Sequence, residues 1–325
     1  MDVVKENKII SIGGESVKPG SEKFVKITID RLPTGTLIDI PVYVFNAKKP
    51  GPTILIQAGL HGDEVNGVEI VRRMLQKGLF KINEGAVIAV PILNIFGFIH
   101  FSRDVPDGKD VNRSFPGTKS GSMASRIAYH YTNEIMHQID FAIDLHTGGG
   151  QRHNFPQIRY TREDEQSREL AAIFNAPISF ASGLIKGSFR NVAFRMNKPT
   201  LVYEAGESMR FDDFSINEGI SGILRIFSYL GMALAPNKGV EKKSRKTIYL
   251  GNRKWLRAPT AGMFIPKTLN GSKVKKGTEI GLVSDTYAKK TKVIKAPFDG
   301  YILCINQQAV VNQGDALLHI GAVLE

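Results

Sequence analysis

The sequence predicts an α/β fold: a mixed, mostly parallel sheet covered by helices, followed by a small all-β, barrel-like region. Three observations predict it. Continuous apolar runs recur at residues 53–58, 86–91, 141–145 and 200–203, and short runs of this kind read as strands buried on both faces. Segments with apolar residues at helical spacing lie between them, and that alternation is the unit of a helix-covered sheet. Beyond residue 246 helical spacing disappears and a short phrase repeats.

Taken in order, residues 1–50 read as short strands and turns, with 23–30 and 36–45 alternating as strands do. Pro50-Gly51 marks a turn. The strand at 53–58 runs into Gly59-Leu60-His61-Gly62-Asp63-Glu64, and Val65, Val68, Ile70, Val71, Met74 and Leu75 then recur at helical spacing. The strand at 86–91 follows, then a helix over 123–139 and the strand 141–145 with His146 at its carboxyl end. Residues 170–174 belong to a further helix, the strand 200–203 ends at Glu204, and 216–230 is a long helix. Sites in open α/β sheets lie beyond the carboxyl ends of the strands. His61 with Glu64, His146 and Glu204 all fall there. Residues 236–246 are polar and basic and read as a linker, dividing a catalytic domain (1–240) from a β domain (247–325).

The β region is internally repeated. Ala258-Pro259-Thr260-Ala261-Gly262 recurs as Ala296-Pro297-Phe298-Asp299-Gly300, and Val274-Lys275-Lys276-Gly277-Thr278 as Val311-Asn312-Gln313-Gly314-Asp315. Two similar halves of short strands suggest a pseudo-symmetric barrel-like unit. They are similar to biotinyl and lipoyl carrier folds, and Lys289 sits near the carrier lysine position. Its flanks, Tyr287-Ala288 and Lys290, are not those of a biotinyl site, so Lys289 reads as an exposed lysine.

Composition narrows the function classes. The 325 residues carry 43 Lys and Arg against 31 Asp and Glu, a formal charge of +12. That balance suits an anionic substrate; no zinc finger, basic heptad or aromatic-interleaved RNA motif accompanies it, so nucleic acid is not an expected partner. The lone Cys304 rules out an internal disulfide and a cysteine-rich metal site. Any metal must be held by His, Asp and Glu. No secretory leader is evident in MDVVKENKII and no apolar run has spanning length. The expected setting is cytoplasmic, with no membrane partner.

His61 and Glu64 form an H-x-x-E pair on a glycine-rich loop entering a helix. An imidazole and a carboxylate so placed can reach one cation. His146, followed by Thr147 and three glycines, supplies a third donor. A His₂Glu set leaves a position for water and suits hydrolysis rather than a structural role. Asp144 and Asp63 stand close enough in sequence to orient a ligand, or to be a strand residue and a helix-start carboxylate. Zinc brings the pKa of its water toward about 7, and a base must still move the proton. Glu204, a charged residue ending a buried strand, is the candidate, with Glu207 a poorer one. Arg103 through Gly117 form a polar, turn-rich loop carrying Asn112-Arg113. A guanidinium there can steady an oxyanion or grip a carboxylate.

The phrases GLHGDEVNG, DVNRSFPG, DLHTGG and VYEAGE, in this order, resemble the succinylglutamate desuccinylase and aspartoacylase family, a branch of the zinc carboxypeptidase fold. The resemblance spans roughly residues 10–325. It implies one Zn2+ per chain held by His61, Glu64 and His146, and Glu204 as the base. It implies that Asn112 and Arg113 bind a substrate carboxylate and that Arg103 polarises the scissile carbonyl. The expected substrate is a small acylated amino acid bearing a carboxylate. A carboxypeptidase-type peptidase is the alternative within the same chemistry, and a carrier protein built on the β domain the alternative outside it. Homo-oligomers are the family's habit.

Overall fold

The computed structural model describes residues 6–234 and 246–324. The expected linker therefore lies outside the described residues except for Lys246. The elements run β1 (Ile10–Ile12), β2 (Glu15–Val17), β3 (Ser21–Arg31), β4 (Leu37–Asn46), β5 (Lys49–Gln57), α1 (Val65–Gln76), β6 (Glu84–Val90), α2 (Ile95–His100), α3 (Met123–Tyr131) and β7 (Phe141–Gly148). They continue with β8 (Arg152–Thr161), α4 (Glu165–Phe174), β9 (Ile178–Ser182), α5 (Phe189–Arg195), β10 (Thr200–Glu207) and α6 (Asp213–Tyr229). The C-terminal region holds β11 (Ile248–Arg257), β12 (Gly262–Pro266), β13 (Lys273–Val274), β14 (Glu279–Ser284), β15 (Thr291–Lys295), β16 (Gly300–Asn306), β17 (Val310–Val311) and β18 (Ala316–Val323).

One 12-stranded sheet runs β13-β16-β18-β11-β9-β8-β10-β7-β5-β6-β4-β3. The parallel character expected from the sequence is confined to β6-β5-β7-β10 and to β8-β9-β11. Where these groups meet, β8 lies antiparallel to β10, and both edges are antiparallel. The apolar runs are buried on both sides, with successive residues entering opposite cores. Leu55, Ile88 and Ala142 pack with α3 and α5. Ile54, Ile56, Val87, Ile143, Leu201 and Tyr203 pack with α1, α4 and α6. This alternation turns Asp144, His146, Val202 and Glu204 toward the α3/α5 side.

Strands β7 and β10 continue past the predicted apolar runs to Gly148 and Glu207. They are hydrogen-bonded to each other there, and such pairing does not require apolar side chains. The helix expected over 123–139 is α only to Tyr131 and widens into a π-turn over Thr132–Met136. Tyr131, Ile135 and Met136 are all fully buried, and Tyr131 donates to Gln57 Oε1 at 2.7 Å.

The C-terminal region joins the main sheet directly. β16 pairs with both β18 and β8, β18 with β11, and β11 with β9, closing a ring β8-β9-β11-β18-β16. Ile178, Phe180, Leu250, Leu303 and Cys304 fill it; burial pushes the Cys304 thiol up to about 12, an inert core cysteine. The repeated phrases are exchanged between halves. Ala258 N donates to Asp315 O and Gly314 N to Ala258 O, and the matching pair is Ala296 N to Thr278 O and Gly277 N to Ala296 O. Lys289 lies in the β14–β15 hairpin, its backbone N–H capped by Asp285. No helix among the described residues is long and apolar enough to cross a membrane.

The loop after β5 presses on α2. A Cβ on Gly62 would lie 1.8 Å from Gly97 C and 2.0 Å from Phe98 N, both backbone atoms. Gly62→Ala is expected to lower stability by about 1–3 kcal/mol, seen as a reduced urea midpoint at unchanged slope. Gly183→Ala, whose Cβ would meet nothing within 4 Å, should stay within about 0.5 kcal/mol.

Candidate metal centre and active site

The loop leaving β5 carries His61 and Glu64, and Glu64 is the last residue before α1. Its side chain does not cap that helix; it turns inward. Glu64 Oε1 lies 2.7 Å from His61 Nδ1 and Oε2 lies 2.8 Å from His146 Nδ1. Thr147 N donates to Oε2 at 3.0 Å. His61, Glu64 and His146 are all buried, and their ligand atoms lie within 4.8 Å of one another. Each imidazole is held from behind by a carboxylate: His61 Nε2 by Asp110 Oδ1 at 3.2 Å, His146 Nε2 by Asp144 Oδ2 at 2.9 Å.

The charges explain what this cluster demands. Burial alone would push the Glu64 carboxyl up, but the charges of His61 and His146 and their hydrogen bonds hold it well below the usual carboxylate range. Burial would push His146 down, yet Asp144 and Glu64 raise it well above an ordinary histidine, and His61 rises for the corresponding reason. Asp110 is lowered against its own desolvation by His61 and Arg103. The buried carboxylates thus require positive charge between the two Nδ1 atoms. Two imidazolium ions supply it, and so does one divalent cation with both rings neutral. Histidines whose far nitrogens bond carboxylates are the usual form of metal-ligating histidines. The donor set therefore fits a zinc-type ion.

Glu204 stands beside this cluster. It is the cross-strand partner of His146 in the parallel β7–β10 pair. Its Oε2 accepts from Asn154 Nδ2 at 2.8 Å, and its Oε1 lies 3.1 Å from Arg159 Nη1. Arg103 donates to Asp110 Oδ2 from Nη2 at 2.8 Å and from Nε at 3.1 Å, which places Nη1 3.2 Å from His61 Nδ1. Asn112 Oδ1 accepts from Phe189 N at 2.9 Å, tying the loop to the start of α5. Arg113 Nη1 donates to Asn112 O at 2.7 Å. All seven residues singled out from the sequence line one cavity of about 1000 Å³. Glu207, three residues beyond Glu204, is not among its lining residues.

Sequence reasoning missed Asp110, Asn154, Arg159, Arg190 and Arg253, which also touch this constellation or line the cavity. Asp110 had a signal, lying two residues before Asn112 in a loop already marked as functional. The others sit on elements with no motif, and pairing distant in sequence brings them in.

The class this defines is an α/β protein with a buried His–Glu–His centre at strand ends. Residues 50–230 match the family model described as the succinylglutamate desuccinylase/aspartoacylase catalytic domain, and the chain belongs to that family. A relative from Halomonas elongata, N-alpha-acetyl-L-2,4-diaminobutyric acid deacetylase, is 27% identical over 299 residues, 88% of this chain and 86% of that one. A succinylglutamate desuccinylase structure from Silicibacter sp. TM1040 superposes with a TM-score of 0.83 at 22% identity, covering 98% of this chain and 100% of that one. The product-bound ectoine utilization protein EutE (DoeB) from Ruegeria pomeroyi gives 0.82 at 23% identity, with 98% and 99% covered.

Asp144→Asn keeps the shape of the group behind His146 and removes its charge. It is expected to weaken zinc affinity about 10- to 100-fold, measured by competition with a chromophoric chelator.

Proposed function

We propose that the chain is a zinc-dependent amidohydrolase that removes the acyl group from a small N-acylated amino acid. One observation carries this: a buried His61–Glu64–His146 donor set with Glu204 directly across the strand pair from His146. The deacetylase named for the Halomonas relative supports the same reaction class. Bound by His61, Glu64 and His146, zinc would polarise the scissile carbonyl and acidify a water.

The protein's own groups do the rest. Asn154 and Arg159 hold the two Glu204 oxygens, so the carboxylate is oriented before substrate arrives. Glu204 takes the proton from the attacking water and passes it to the departing amine. Arg103, anchored on Asp110 beside His61, donates to the oxygen as charge develops on it. Asn112 and Arg113 take the substrate carboxylate, the guanidinium offering a two-pronged grip. The ring strands β11 and β18 supply Arg253, Trp255 and His319 to the cavity wall. A wall there favours small substrates over polypeptide ends, which sets the deacylase above a carboxypeptidase-type reading.

Glu204→Gln removes the base and leaves the donor set. The expected result is about one zinc per chain in both proteins, with turnover of N-acetyl and N-succinyl amino acids falling about 10²- to 10⁴-fold in the variant. Metal analysis and amide hydrolysis on the same samples check it. Hydrolysis of peptides alone would favour the peptidase. A chain that cannot be loaded with zinc and cleaves nothing would end the enzyme reading.

A further inference from the structure

The positive charge of the chain is concentrated in one region. Residues 246–324 carry twelve Lys and Arg against four Asp and Glu, whereas residues 1–234 carry 27 against 25. Within the basic region the four-stranded sheet β15-β14-β12-β17 packs one face inward through Phe264, Val283 and Ile294. Its other face is apolar and open. Cross-strand partners share a face, so Ile265, Leu282 and Val293 form one row, and Met263 and Val310 form a pair beside it. Met263, Ile265, Val293 and Val310 are between 40 and 74% exposed.

Beside this face runs a groove of about 370 Å³, lined by residues 254–257 of β11, by Pro259, and by Val293 and Ile294 of β15. Both strands meet it with an unpaired edge. Among the described residues β15 pairs only with β14, and β11 beyond Tyr249 pairs only with β18. Unpaired edges bind extended chains through their backbone groups. Lysines on such an edge repel a like-charged strand, and by the same charge they admit an acidic one. Lys254 and Lys292 are exposed, and Arg257 donates to a neutral acceptor, Gly314 O, at 2.8 Å. A second copy of this chain would bring the same excess of positive charge to the groove, so it is not the matching occupant.

We propose that the groove between β11 and β15 docks an extended segment of an acidic partner protein. A strand added to the β15 edge continues the rows of the sheet. Opposite Val293 it meets the apolar row Ile265–Leu282–Val293. Opposite Lys292, whose side chain leaves β15 on the other side, it meets a cation. The segment that fits therefore alternates apolar and acidic residues, and Lys254 and Arg257 on the opposite bank add two further cations. Trp255, the single tryptophan of the chain, lines the groove and the catalytic cavity alike, so a docked segment changes its surroundings.

Intrinsic fluorescence of Trp255 in the zinc-loaded protein reads the docking. The probes are two hexapeptides blocked at both ends, one alternating Glu with Val and the other Lys with Val. The acidic peptide should give a saturable change whose affinity falls about tenfold or more between about 0.05 and 0.5 M salt, and the basic peptide should give none. Lys254→Glu combined with Arg257→Glu should weaken the acidic peptide about tenfold or more. Val293→Asp, at an exposed position, should weaken it as well. An acidic peptide bound equally by the wild type and by variants with wild-type circular dichroism occupies another surface, such as the catalytic cavity, and overturns the groove. No response to the acidic peptide, or an equal response to both peptides, overturns it without recourse to any variant. Cosedimentation with vesicles of phosphatidylcholine and phosphatidylserine, with no peptide response, overturns the peptide and assigns the face to a membrane surface. None of these readouts depends on amide hydrolysis, so the docking groove and the deacylase reading stand or fall separately.

Discussion

Glu64 is a carboxylate buried between two imidazoles, and much of the molecule is arranged to make that position tenable. Removing a carboxylate from water is costly unless compensating charge is fixed beside it. His61 reaches it from the same loop, and His146 reaches it from the neighbouring strand β7. Asp110 and Asp144 then hold the imidazoles from behind, so the ring orientations are set by the β5–β7 pairing and by the loop that carries Asp110. The donor set fits a metal ion on the same electrostatics, because one dication between the Nδ1 atoms would satisfy the carboxylates with both rings neutral.

The closed ring β8-β9-β11-β18-β16 makes the second half of the cavity. β8 is the hinge of the design. It lies against β10, where Glu204 is, and against β9 and β16, and it carries Asn154 and Arg159 to Glu204. The C-terminal strands are thus wall as well as cover. They bring Arg253 and Trp255 within the same cavity as the His–Glu–His centre.

Legibility from sequence followed burial and locality. The strands at 53–58, 86–91, 141–145 and 200–203 announced themselves because both their faces are apolar. His61, Glu64, His146 and Glu204 were readable because each follows such a strand. The pairing of β8 was not readable: RHNFPQIRYT mixes charge, amide and proline, and its polar side chains serve a cavity rather than a core. The sheet's antiparallel joint at β8–β10 was missed with it, so the sheet is less parallel than the apolar runs implied. Arg190 and Arg253 carry no local motif. Their meaning comes from contacts with residues 182 and 183, and with 181, which only the closed ring places beside the catalytic strands. The Ala-Pro repeat was visible, but the exchange of hydrogen bonds between its halves is a property of the folded chain.

X-ray absorption at the zinc edge of the purified, zinc-loaded chain tests the metal centre most directly, with His146→Ala measured beside it. The expected wild-type spectrum shows nitrogen and oxygen neighbours at about 2.0–2.2 Å with the scattering signature of two imidazoles, and loss of one imidazole in His146→Ala. A spectrum without imidazole scattering, or one unchanged by His146→Ala, would contradict a metal held by His61, Glu64 and His146.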